Sequence, residues 1–432
     1  MPSNVLNGVA NGNGNGNLTT QIRYIPLSYD PTDDDSSARQ LILALRPEWS
    51  SPDSNVEFVR FTDGITNTLL KAVNRKIGLS KEQIDSEAIL LRAYGHGTDV
   101  IIDRRREAQN HELLMKHGLA PALLARFDNG MMYRFIQGKP SHPTDLRDPS
   151  LYLAVARRLA QWHAIVPCIH ETNTGTNGVL NNSHKSSFDD IALGKPAPNT
   201  WTVMQKWIRA LPNKTDAQRA RQAELQKELS WLVEKLSRRP GLGENALVFA
   251  HCDLLSGNVI IEPKGPGTNG VDHKHANGQN GQQQPSVNFI DYEYATPSPA
   301  AFDLANHFAE WGGFDCDYSV LPTRAQRLEF IREYIHTYFS LVERSESCED
   351  VDEEAEAQKL FAEVDMFRGV PGFYWGIWAL IQATISHIDF DYAQYAEVRL
   401  GEYWAWRDAI NGLCGAVKKE VPLREKRWAQ LE

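Results

Sequence analysis

The chain has 432 residues, a net charge of −10 and 42% hydrophobic residues. That length suits two or three units with a sizeable core, and an acidic balance without a basic stripe argues against nucleic acid as a partner. The five cysteines are scattered, odd in number and without a Cys-x-x-Cys pair. This pattern fits a reducing compartment and argues against a disulfide framework or structural zinc.

Residues 1–20 are Asn/Gly-rich, cannot bury a core and are expected to be disordered; they carry no signal-peptide pattern. Ile22 to Leu27 alternates apolar and polar residues and predicts an edge strand. Asp33 to Ser37 reads as a helix start ahead of Leu41, Ile42 and Leu45. Phe58 to Phe61 and Leu69 to Val73 predict two strands around the turn 63–67. That turn can lay backbone N–H groups from Gly64, Thr66 and Asn67 on phosphates; taken alone, it is an ordinary hairpin turn.

Ala88 to Tyr94 reads as a buried strand carrying one cation, Arg92. A helix follows from Asp103 and stops at Gly118, with Glu107 in its first turn. Each charge alone is an ordinary surface charge. In this order they match the strand cation and helix carboxylate that fix phosphate contacts in kinases. Pro121 to Phe127 and Met131 to Ile136 are strands joined at Asp128-Asn-Gly130. They run into a hinge where backbone groups of Phe135, Ile136 and Gln137 would meet an adenine edge.

From Pro149 the pattern turns helical: Leu151 to Ala164, Trp201 to Ile208 and Ala217 to Leu236. Trp162 and His163 read as core or cap residues. The stretch 170–200 reads as loop, 344–356 as an acidic solvated linker, and 264–286 as a disordered insertion rich in Gly, Asn and Gln. Gly369 to Ile388 has no formal charge and the length of a membrane span, but its Pro, Gly and polar residues make it a buried helix. A cytoplasmic protein without stable membrane insertion is expected.

Two polar stretches behind apolar strands carry the chemistry. His251, Asp253 and Asn258 stand in a His-x-Asp-x4-Asn pattern, and the run 287–293 ends in Asp291 and Glu293. Kinase sites use one Asp to accept the proton of the attacking hydroxyl. An Asn five residues later and an Asp from the next strand hold Mg²⁺. Further on, Trp375 and Trp378 share a helix face, and Tyr392 and Tyr395 follow. Aromatic faces attract cations by about 0.5–2 kcal/mol.

With these motifs quoted, the sequence resembles the choline/ethanolamine kinase family, on the ethanolamine side. The stretches that carry the resemblance are 61–67, 90–95, 135–138, 251–258, 290–294, 302–311 and 374–383, in one order over roughly residues 55–405. The resemblance implies an α+β, protein-kinase-like two-lobed fold. Its N-lobe (21–138) would hold an antiparallel sheet plus a helix, and its larger C-lobe (139–432) would be mainly helical. It implies ATP and Mg²⁺ as cofactors and a small amino alcohol as substrate, and leaves room for a homodimer. Asp253 would be the catalytic residue, and Asn258 and Asp291 would hold Mg²⁺. Arg92 and the 63–68 turn would contact phosphates, Glu107 would pair with Arg92, and Glu310, Trp375, Trp378 and Tyr395 would line the substrate pocket. Ethanolamine would be phosphorylated at the first step of the CDP-ethanolamine route to phosphatidylethanolamine.

One departure stands out. Choline kinases place a Tyr shortly after the Glu-Trp pair, where this chain has Gly312-Gly-Phe-Asp315. Part of a quaternary-ammonium cage would be missing. Glu310, Asp315 and Asp389 would instead offer carboxylates to the N–H donors of a primary ammonium. The rival readings are a choline or dual-specificity kinase, an aminoglycoside-type phosphotransferase and a pseudokinase scaffold.

Overall fold

The computed structural model describes residues 22–61, 67–95, 97–168, 198–243, 245–263, 284–342, 351–412 and 421–432. The N-terminal tail, Gly64, Thr66, the loop 170–197 and most of the insertion lie outside them.

The first part of the chain builds a six-stranded sheet from β1 (Arg23–Ile25), β2 (Val56–Phe61), β3 (Asn67–Asn74), β4 (Ile89–Tyr94), β5 (Leu123–Phe127) and β6 (Gly130–Arg134). The strand order is β1-β5-β6-β4-β3-β2. Every pairing is antiparallel except β1 with β5, which is parallel, so the sheet is mixed at that edge. Helix α1 (Asp34–Leu45) covers one face with Ala38, Leu41 and Ile42 against Leu70, Leu91, Ala125 and Met132. Burying each large aliphatic side chain contributes roughly 1.5–3 kcal/mol. A short helix, α2 (Lys81–Glu87), has no counterpart among the sequence expectations, although Ser80 and Gln83 form a full capping box. Helix α3 (Arg104–Lys116) starts on the Asp103 cap and stops at Gly118, whose φ of +69° suits glycine. Its Leu114 packs into the core of the second part, so α3 joins the two lobes.

The second part is mainly helical. It holds β7 (Lys139–Pro140), α4 (Pro149–Ile165), α5 (Thr200–Ala210), α6 (Asp216–Leu236), β8 (Val248–Ala250), β9 (Val259–Ile261), β10 (Val287–Phe289), β11 (Thr296–Ser298), α7 (Ala300–Ala309) and α8 (Arg324–Leu341). Then come α9 (Glu353–Phe367), α10 (Val370–Ile385), α11 (Tyr392–Ile410) and α12 (Leu423–Ala429). The acidic stretch read as linker is shorter than expected: α9 begins at Glu353. Asp352 caps it, and three glutamates in the first turn suit the positive end of a helix dipole. The uncharged stretch from 369 is the buried helix α10, and among the described residues no helix is long and apolar enough to cross a membrane.

Two short antiparallel pairs set the site. β8 pairs with β11 and β9 with β10, so the turn between β8 and β9 (251–258) lies beside the turn between β10 and β11 (290–295). Two hydrogen bonds fasten them: Ile290 N donates to Asn258 O at 3.0 Å, and His251 Nε2 meets Ile290 O at 3.0 Å. Residues 32 and 39 apart in sequence thereby share one surface.

Candidate active site

Asp253 is 8% exposed, at the floor between the lobes. Asn258 Nδ2 donates to its backbone oxygen at 2.8 Å and to Oδ2 at 3.1 Å. Both bonds come from the same amide nitrogen, which fixes the orientation of the Asn258 amide. Burial, then the nearby Asp291, Glu310 and Glu293 carboxylates, push the Asp253 carboxyl well above the usual range. The site is therefore a concentration of negative charge, and cations are what it favours.

The turn around Asp253 is strained. Cys252 has φ +64° and Asp291 has φ +59°, left-handed conformations that L-residues adopt at a cost of about 1–3 kcal/mol. Helix α7 holds the first of them from below. Asp303 accepts from Cys252 N at 2.8 Å through Oδ1 and from His251 N at 2.9 Å through Oδ2. Asn306 Nδ2 donates to Cys252 O at 3.1 Å, and His307 Nδ1 bonds Leu254 O at 2.8 Å. Residues 303, 306 and 307 share one helix face, so a single rigid element grips the turn. His251 spends its Nε2 hydrogen on Ile290 O, and its Nδ1 accepts from Asp253 N at 3.3 Å. This neutral tautomer agrees with burial lowering the ring to about 4.

Above this floor lies an ionic network between the lobes. Arg92 is 4% exposed and pairs with Glu107 at 3.0 Å, Asp291 at 2.7 Å and Glu293. Arg104 adds pairs to Glu107 at 3.0 Å and Glu293 at 3.3 Å. Asn67 Nδ2 donates to Glu293 Oε2 at 2.9 Å, so this side chain from the turn is spent on holding Glu293. The expected Arg92–Glu107 pair is present, and Arg104 joins it. Phe135 stacks on Phe61 at 6.2 Å, with Lys71 Nζ 4.2 Å from its ring centre. Its N–H is committed to Ala88 O at 3.0 Å, and the next two residues, Ile136 and Gln137, are half-buried.

On the other side of Asp253 stand the aromatic residues. Trp375 and Trp378 meet edge to face at 5.5 Å. Their indole N–H groups donate to Asn306 Oδ1 and to Tyr294 OH, each at 2.8 Å. Trp375 is thus tied through Asn306 to the strained turn. Tyr395 lies under Phe314, at 6.0 Å, and Phe390, at 5.6 Å. The loop after the Glu-Trp pair therefore puts an aromatic ring against Tyr395, while Asp315 faces solvent. This corrects the expectation of a gap filled by an acid: Phe314, one residue earlier, occupies that wall. Asp389 is exposed beside Phe390 in the turn before α11. Glu310, 6% exposed, is paired: Arg399 Nη2 donates to its Oε1 at 3.1 Å.

Comparison with known proteins decides the family. The model of the choline/ethanolamine kinase family matches residues 58–404. The chain belongs to the choline/ethanolamine kinase family. It is 32% identical to ethanolamine kinase 2 of Homo sapiens, over 91% of this chain and 86% of that protein. It is 33% identical to ethanolamine kinase 1 of Mus musculus, over 87% and 90%. In solved structures the fold is shared with an ethanolamine kinase of Plasmodium vivax (TM-score 0.63, 24% identity, 86% and 89% covered). It is also shared with a choline kinase of Cryptosporidium parvum (TM-score 0.56, 20% identity, 88% and 98% covered).

As a family of kinases, these proteins use ATP, and the match runs from within β2 to within α11. Sequence reasoning did not single out Arg104, Asp303, Asn306, His307 or Arg399. The partners that tie them to the site lie 51–189 residues away, beside local ones such as Glu107 and Thr98 for Arg104 and Glu402 for Arg399. The one local signal was the i, i+3, i+4 spacing of polar residues in an otherwise apolar helix.

Proposed function

We propose that this chain transfers the γ-phosphoryl group of ATP to the hydroxyl of ethanolamine, giving phosphoethanolamine and ADP. The observation that carries the reading is Asp253: a buried carboxylate on a clamped turn, between an arginine–carboxylate network on one side and Glu310 with the Trp375–Trp378 pair on the other. Asp253 accepts the hydroxyl proton. The freed oxygen attacks the γ-phosphorus in line, a P–O bond forms, and the bond to the bridging oxygen breaks as ADP leaves. Arg92 keeps Asp291 and Glu293 in place, and backbone groups of Ile136 and Gln137 receive the adenine.

Mg²⁺ fits the donor set. Asp291 and the side-chain oxygen of Asn258 are hard oxygen ligands on adjoining turns, the chemistry this ion prefers. Bound there, it would neutralise phosphate charge during transfer.

Ethanolamine is favoured because its ammonium has N–H donors for Glu310. A charge-assisted hydrogen bond contributes about 1.5–3 kcal/mol, against about 0.5–2 kcal/mol for a cation–π contact. The relatives named above are ethanolamine kinases. A second reading, choline, draws on the aromatic wall of Phe314, Phe390 and Tyr395. Mass spectrometry of products from an equimolar mixture with Mg·ATP tests the choice. Phosphoethanolamine in large excess supports the proposal, and phosphocholine in excess overturns it.

A further inference from the structure

His163 sits on α4 with 0% side-chain exposure. An isolated histidine in a core is ordinarily a packed ring with one satisfied nitrogen. This one spends both. Its Nε2 meets Asp303 Oδ2 at 2.9 Å, and its Nδ1 meets Tyr334 OH, on α8, at 2.7 Å. The same Asp303 oxygen accepts from His251 N, and the other accepts from Cys252 N. A chain of hydrogen bonds thus runs from α8 through α4 to a carboxylate on α7, and that carboxylate holds the strained residue next to Asp253.

We propose that His163 is a positioning residue for Asp253, acting through Asp303. With Nε2 donating to the carboxylate, Nδ1 is the acceptor for the Tyr334 hydroxyl, so Tyr334 fixes both the tautomer and the ring plane. The Asp303 carboxylate is then held from both sides: by His163 on one, and by the two backbone N–H groups on the other. Without His163 it can turn about its own bonds, and the left-handed Cys252 loses the fixed partner that offsets its strain. A shift of about 1 Å in a catalytic group can slow a reaction by 10²-fold while leaving binding intact. The inference rests on Asp253 as the base of the proposed transfer.

The test is steady-state kinetics of the full chain with Mg·ATP and ethanolamine for H163M, H163Q and Y334F. H163M keeps the bulk and loses both hydrogen bonds. Its kcat should fall at least tenfold, with both KM values within about twofold of wild type. H163Q can still donate to Asp303 and should recover to within about threefold of wild-type kcat. Y334F leaves the packing in place and should lower kcat severalfold without moving KM. Wild-type kcat in H163M, or equal loss in H163M and H163Q, would overturn the proposal, since ring packing alone would then account for the residue. If H163M does not accumulate as folded protein, the other two decide: H163Q must be near wild type and Y334F slower. A wild-type chain inactive on ethanolamine would sink the functional reading instead, visibly, before any variant is compared; the same ratios are then read on choline.

Discussion

Arg399 holds Glu310 by a hydrogen bond from Nη2 to Oε1 at 3.1 Å, in a spot where both side chains are almost fully buried. The guanidinium is shared with Glu402, 3.6 Å from Nε, and Arg424 lies at the same distance on the far side of Glu402. Glu310 is thus a carboxylate with one oxygen committed. Burial raises its carboxyl above the usual range, and Arg399 pulls it back.

From this arrangement E310Q should raise the KM for ethanolamine about tenfold or more, the loss of one charge-assisted hydrogen bond, with the KM for ATP unchanged. Steady-state kinetics with each substrate varied in turn checks it. An unchanged ethanolamine KM would remove Glu310 from the pocket.

Arg399 lies on α11, which packs against α10 at a glycine. A Cβ on Gly372 would stand 2.5 Å from the backbone oxygen of Arg399 and 3.0 Å from Glu402 Cβ. G372A should therefore force the helices apart, at a cost of about 1–3 kcal/mol, and move Arg399 with them. Calorimetry should show a lower unfolding midpoint, and the ethanolamine KM should rise more than the ATP KM.

R92M tests the other side. It would leave Glu107, Asp291 and Glu293 facing one another in a buried interface with Arg104 alone to offset them. Breaking buried pairs in this way costs about 3–5 kcal/mol. Denaturant unfolding should show that loss, and the ATP KM should rise while the ethanolamine KM stays put.

A pH test concerns His111, on α3, whose Nε2 bonds Pro121 O at 2.9 Å. Burial lowers its ring to about 4 from 6.5. The unfolded chain therefore binds a proton that the folded protein refuses between those values, and stability falls as the pH drops through that window. H111Q lacks the titration. Relative to H111Q, wild type should lose about 2 kcal/mol between pH 8 and pH 5. Urea unfolding at both values checks the sign; a constant difference would contradict it.

What could be read in the chain follows a pattern. Asp253, Asn258 and Asp291 were legible because five residues and one strand fix their relation, and the α3 stop at Gly118 because a left-handed residue has a local signature. The Arg92–Glu107 pair was legible from its order along the chain. His163 and Arg399 were not, since each acquires its meaning from a partner on another helix, 140 and 89 residues away. Phe314 was misjudged for the same reason: its neighbours in sequence are glycine and aspartate, whereas its neighbours in space are Phe390 and Tyr395. Helix α8 went unassigned because its apolar residues are interleaved with charges, one of which, Arg327, is itself buried.

The most direct measurement is ADP release from the purified chain with Mg·ATP, over a concentration range of ethanolamine and of choline, with D253A as the blank. The account predicts a much larger kcat/KM for ethanolamine and no release above background in D253A. Equal or greater kcat/KM for choline would contradict the substrate assignment. Turnover that survives in D253A would contradict the catalytic one.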